Sequence, residues 1–152
     1  MKHRFLLDLN IVYHAVRGVD KHDNPDATCA ELLLLIGQNC HKIVVNEYLF
    51  GEYLKRLREL FPTKAPALPP IYFLQQLLFK AEKFIQETGE LPAIPPGVDL
   101  PREDVEIVRS ALVSRPVIVA ADDGLCNAVN EGRVLGLQAK TPKMALDLAR
   151  EI

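Results

Sequence analysis

Two kinds of apolar pattern alternate along the chain. Short apolar blocks stand at 4–7 (RFLL), 42–45 (KIVV) and 116–121 (PVIVAA), with a weaker one at 134–137. Blocks of this length without polar alternation predict strands buried on both faces. Between them apolar residues recur at helical spacing. Asn10 stands as a candidate N-cap before Ile11, Val12, Ala15 and Val16, and Gly18 ends that helix. A polar, turn-rich stretch over 20–26 leads to a second helix over 25–39, with Ala27, Ala30, Leu33, Leu34 and Gly37 near one face. Leu49, Tyr53, Leu57 and Leu60 mark the apolar face of a helix over 47–60. Further helices are predicted over 71–87, 101–113, 124–131 and 142–152, the last entered through Thr141 as N-cap and Pro142 at the first helical position.

Buried strands separated by helices predict an α/β fold: three layers, α/β/α, around a central parallel sheet of four or five strands. Four prolines at 62, 66, 69 and 70 cannot lie in a helix interior, and 89–101 is again Pro-rich. We therefore expect one domain over 1–152 with a Pro-flanked helical insertion at about 62–101, a length ordinary for one domain.

Composition narrows the class. With 49% hydrophobic and 25% charged residues, the chain has enough apolar surface to fold on its own. A net charge of −2 excludes a strongly basic nucleic-acid coat protein but leaves room for a local basic patch. Three cysteines without a CxxC do not make a disulfide framework, and we expect them as small core side chains in a reducing cytosol. The block 5–7 is cut by Asp8, and runs such as 32–36 fall short of the roughly 20 residues that span a bilayer. The expectation is a soluble, cytoplasmic protein with no membrane association.

The candidate chemistry lies in the acids. Ligands of open parallel sheets bind beyond the carboxyl ends of the strands. Asp8 ends the first strand, and Asp122 and Asp123 end the third. Glu52 on the helix after the second strand, and Asp104 near the start of the helix before the third, can join them. Carboxylates gathered together raise one another's pKa unless a cation shares the site. Oxygen-only ligation suits Mg²⁺ or Mn²⁺, which supports hydrolysis of phosphodiesters. Each acid taken singly has a plain role. Asp8 suits a cap, Asp104 and its acidic neighbours suit the helix dipole, Glu52 suits a solvated face, and Asp122-Asp123 before Gly124 suits a turn. Lys55, Arg56 and Arg58, with Lys64 just beyond, fit either a solvated helix face or contact with a phosphate backbone. His3, His14, His22 and His41 share no metal-ligand spacing, and GxGxxG, GxxxxGK[ST] and GxSxG are all absent.

The order and setting of the acids resemble those of the PIN domains, nucleases named for the PilT N-terminus that include the toxins of VapBC-type systems. FLLDLNIVYHAV resembles their first strand, with Asp8 as first acid and Asn10 two residues on. KIVVNEYLFGEYLKRL resembles their second strand and helix. Asn46 and Glu52 match a small polar residue and a glutamate six residues later, which favours Glu52 over Glu47. DVEIVRSALVSRPVIVAADDGL resembles the stretch with the third and fourth acids, Asp104 and Asp122, eighteen residues apart. VLGLQAKTPKMALDLAREI resembles the last strand and helix. The sequence departs from the family at Ala120, where Thr or Ser is common, and in the length of 62–101.

The resemblance implies a Rossmann-like PIN fold and metal-dependent cleavage of RNA. It implies that Asp8, Asp104 and Asp122 hold Mg²⁺ or Mn²⁺, with Asp123 as a further acid. Glu52 lies beside them as ligand or as orienter of the attacking water, and Asn10, Lys55 and Arg56 serve the substrate. It makes an antitoxin a candidate partner. Tyr72, Phe73 and Phe79 are candidates for a homodimer face, or equally for the core. Two other functions compete. A binding or scaffold module of the same fold would keep the acids without cleaving. A haloacid-dehalogenase-like phosphatase requires a second Asp two residues after the first, where this chain has Asn10.

Overall fold

The computed structural model describes residues 2–60, 83–87, 89–133 and 136–151. Along the chain run strand β1 (Arg4–Leu7), helices α1 (Leu9–Arg17) and α2 (Thr28–Gln38), strand β2 (Lys42–Asn46), helix α3 (Glu47–Leu60) and strand β3 (Phe84–Glu87). There follow helix α4 (Arg102–Ser114), strand β4 (Val117–Val119), helix α5 (Asp123–Ala128), strand β5 (Gln138–Lys140) and helix α6 (Pro142–Arg150). All strand pairings are parallel, in the order β3-β2-β1-β4-β5. Among the described residues six helices flank this sheet, making the expected three-layer α/β/α arrangement.

The central strand shows why the apolar blocks were continuous. Phe5, Leu6 and Leu7 are all fully buried. Successive strand residues point to opposite faces, so both faces of β1 are covered. Ile43, Val44 and Val45 of β2 and Ile118 and Val119 of β4 extend the same core. From β1 the chain steps outward to β2 and β3, then returns to the other side of β1 for β4 and β5. The direction of travel therefore reverses between β1 and β4, the place beyond whose carboxyl ends open parallel sheets bind their ligands.

Several boundaries differ from the sequence-based expectation. Phe84–Glu87 is a strand, not the end of a helix over 71–87. Its register with β2, from Ile43↔Phe84 to Asn46↔Glu87, supplies parallel partners that no local pattern reveals. The last described strand is Gln138–Lys140, after the expected 134–137, of which 134 and 135 lie outside the described residues. It follows the turn at Gly136, whose φ of 76° suits glycine. The free edge of β5 is closed by the Asn130 side chain, which accepts from Ala139 N–H at 3.0 Å and donates to the Ala139 carbonyl at 2.8 Å. Helix α2 begins at Thr28 because a bridge between Val19 and Pro25 holds the preceding loop extended. The helix expected over 124–131 is Asp123–Ala128, and Val129–Arg133 is a π turn. Cys29 and Cys126 are core residues as expected, whereas Cys40 is exposed, and none is bridged. The predicted 62–70 loop, the helix from 71 to 82, Lys64, Tyr72, Phe73, Phe79 and the side chains of Leu57 and Leu60 lie outside the described residues.

Gly18 closes α1 with φ 68°, as predicted, and Thr141 caps α6 through Met144 N–H at 3.3 Å. Asn46 ends β2 and caps α3. Its Oδ1 accepts from Leu49 N–H at 2.7 Å, and its amide donates to Ser110 Oγ on α4. One buried side chain thus ties the start of α3 to α4. Asn46→Ala should lower stability by about 2 kcal/mol in chemical denaturation, since it removes a cap and leaves a buried hydroxyl without its donor. A change under about 0.5 kcal/mol would show that water replaces both bonds.

Candidate active site

Asp8 and Asp122 follow the carboxyl ends of β1 and β4, and the charge of Asp104 reaches Asp8. Asp8 leaves β1 with its N–H on the Val119 carbonyl at 2.9 Å, so the adjoining strand holds its backbone. Its carboxylate Oδ1 accepts from Leu9 N–H at 2.8 Å. Asp8, not Asn10, is therefore the N-cap of α1. Capping did not require exposure, for Asp8 is only 8% exposed. Burial, then the charge of Asp104, push its carboxyl up to about 6; Asp122 adds to this, while the Leu9 N–H and the Arg56 guanidinium pull the other way.

Asp104 sits in the first turn of α4 and is 4% exposed. The dipole at that helix end favours an acid, but burial against a second carboxylate goes beyond what dipole stabilisation requires. Asp122 follows β4, is exposed, and caps α5 through Gly124 N–H at 2.9 Å. Asp104 and Asp122 are thus both close enough for their charges to act on Asp8.

The other predicted residues distribute differently. Glu52 is half-buried on α3, one turn before Arg56, which reaches the field of Asp8. Asp123 is drawn to Lys21, with Nζ and Oδ2 3.0 Å apart, and its side chain is 72% exposed. Asn10 is exposed on the first turn of α1, and Lys55 is exposed on α3. Ala120 is fully buried, and its carbonyl accepts from Cys126 Sγ at 3.5 Å.

Two buried polar groups carry no plain local signal. Tyr53 has a spacing that suits an apolar helix face. It is fully buried, and its hydroxyl donates to the carbonyl of Leu7, the residue before Asp8. Burial, followed by the negative charge of Asp8, raises its pKa, so it stays a neutral donor. The signal was a tyrosine where leucine would pack, because a buried hydroxyl needs a partner. Tyr53→Phe should cost about 1–2 kcal/mol of stability and should slow any Asp8-dependent reaction more than it changes substrate affinity. An unchanged denaturation midpoint would remove Tyr53 from this role. Glu87, at the carboxyl end of β3, is also buried. Burial raises its pKa, and the nearby Ser114 and Ser110 hydroxyls oppose the shift. A buried acid at the end of a strand carries a signal only once the strand is known.

The donors suit a hard divalent cation in one particular way. Among the described residues, no three Asp, Glu, His or Cys side chains stand together in a set that would hold a metal by themselves. Mg²⁺ is ordinarily held by one or two carboxylates and several waters. Asp8 and Asp104 supply that number, both oxygen donors, with Asp122 at the rim. The raised pKa of Asp8 comes first from burial and then from the charge of Asp104.

No family model matches the sequence, and no curated protein matches it. One solved structure with a similar chain course is VapBC2 from Rickettsia felis bound to a DNA fragment from their promoter. The identity is 13%, the match covers 91% of this chain and 98% of that chain, and the TM-score is 0.49.

Proposed function

We propose that this protein is a Mg²⁺- or Mn²⁺-dependent endoribonuclease of the PIN kind. The observation that carries this reading is the burial of Asp8 beside Asp104 at the β1/β4 switch point, with Asp122 adding to the same field. Burying one carboxylate beside another is costly, and groups perturbed in this way cluster at functional sites. Asp8, Asp104 and Asp122 would hold the ion, directly or through water, with Asp123 as a further acid once released from Lys21. When bound, the metal supplies Lewis acidity, activating water and offsetting charge on the phosphoryl group. Glu52 joins as ligand or as the base that orients the attacking water. Arg56, drawn toward Asp8, is set to meet a phosphate oxygen, while Lys55 and Asn10 extend the contact outward. Tyr53 holds the Leu7 carbonyl, and with it the backbone from which Asp8 projects.

The partners of this reading are an RNA substrate in the cytoplasm, an antitoxin that covers the acids, and a second copy of the chain. The test is incubation of the pure protein with mixed structured and single-stranded RNA, in Mn²⁺ and in EDTA. Internal cleavage that requires the metal is expected. Folded protein that binds Mn²⁺ but cuts no RNA would overturn the nuclease reading in favour of a binding module.

A further inference from the structure

A cavity of about 230 Å³ lies between the loop after α1 and the N-terminal ends of α2 and α6. It adjoins the acids. Ala121, the residue before Asp122, forms part of its wall, and so does Lys21, which pairs with Asp123 at 3.0 Å. It is smaller than the roughly 300–1,000 Å³ clefts that take drug-sized ligands, so its scale is that of one ring system.

The wall chemistry selects among small ligands. Asp20 and Asp26 stand on it together with Lys21 and Lys143. A free phosphate would meet two carboxylates, and a divalent cation would meet two ammonium groups. Both carboxylates are held in place. Asp20 Oδ1 accepts from His22 N–H at 2.8 Å and Asn24 N–H at 3.0 Å, and Asp26 Oδ1 accepts from Thr28 N–H at 2.7 Å. Fixed acceptors beside ammonium donors suit a neutral ring with both donors and acceptors on its edge.

His14 supplies a separate observation. It lines the cavity, is 9% exposed, and its Nδ1 is buried with no hydrogen-bond partner among the described residues. An imidazole held at the wall of a cavity is a surface on which an unpaired base can stack. We propose that this cavity binds one unpaired nucleobase of the RNA, the base next to the phosphate that is cut. The inference rests on the nuclease reading for its RNA, but the pocket has a test of its own.

The first measurement follows the His14 imidazole by NMR while the four ribonucleosides, and separately inorganic phosphate, are added to the wild-type protein in EDTA. At least one nucleoside should shift the ring signals, phosphate should not, and Thr28→Leu, which fills the cavity, should abolish the shift. No response to any nucleoside, or a response to phosphate alone, overturns the pocket. The second measurement maps cut sites in a randomised single-stranded RNA pool. One base should be preferred at one position beside the cut by about tenfold or more, falling to about threefold or less in Thr28→Leu, the range over which a small pocket discriminates. Cut sites that stay the same in the filled variant overturn the specificity role. If Thr28→Leu does not fold, Lys143→Ala on the exposed end of α6 replaces it, with the same outcomes required. Nucleoside binding without any RNA cleavage would retain the pocket and remove the nuclease reading.

Discussion

Asp8→Asn should abolish metal-dependent RNA cleavage while making the protein more stable at neutral pH. The two effects share one cause. Asparagine keeps the Oδ1 acceptor for Leu9 N–H, which is 2.8 Å away, so the α1 cap survives. It loses the charge that burial and Asp104 oppose. Loss of one group that stabilises developing charge typically lowers a rate by about 10²–10³-fold, and a lost metal ligand should do at least as much. Stability gained at the expense of activity is the mark of a residue kept for function. The check is a pair of measurements on one preparation: cleavage rate in Mn²⁺, and the denaturation midpoint in EDTA at pH 7.5. A variant that is less stable yet equally active would make Asp8 a helix cap and nothing more.

In EDTA, wild-type stability should fall relative to Asp8→Asn as pH rises from about 4 to about 7, by about 2–3 kcal/mol for a shift of two pKa units. The Asp8 carboxyl stands at about 6 in the fold against an ordinary 3.8. The folded state therefore holds its proton where the unfolded chain has released it. That contribution is fully present below the ordinary value and is lost as pH rises through about 6. Other groups also titrate here. Burial lowers His3 and His14, which favours the folded state at higher pH, and burial raises Glu87, which acts in the same sense as Asp8. All three remain in both proteins, so the difference between wild type and variant isolates Asp8. Saturating Mg²⁺ or Mn²⁺ should recover stability at pH 7.5 in the wild type only, by about 2.7 kcal/mol at a hundred times Kd. Parallel pH curves for the two proteins would show that Asp8 is under no electrostatic pressure. Equal stabilisation of both by metal would place the cation elsewhere.

The elements that could be read from the chain were those whose signal is local. The blocks at 42–45 and 116–121 announced buried strands because both faces of β2 and β4 are covered, so no polar alternation interrupts them. Gly18 and Thr141 announced helix ends because each acts on backbone groups within four residues. Where partners are distant the reading failed. Phe84–Glu87 has a composition that suits a helix or a strand, and only its register against β2 decides the matter. The edge strand β5 depends on Asn130, eight to ten positions earlier in the chain.

The candidate site divides along the same line. The order of Asp8, Glu52, Asp104 and Asp122, and the places of Asp8, Asp104 and Asp122 at element ends, follow from the sequence, because strand ends and helix starts are local features. Whether an acid is buried, and which charge it faces, is a matter of three-dimensional packing. The tertiary structure alone made Asp8 and Asp104 a buried pair, drew Asp123 to Lys21, brought Tyr53 under Leu7 and set Glu87 at the end of a strand. Periodicity and capping act over a few residues, so a sequence can determine them by itself. Desolvation and charge coupling act through space between residues up to about a hundred positions apart, as Asp8 and Asp104 are, and only the folded chain decides them.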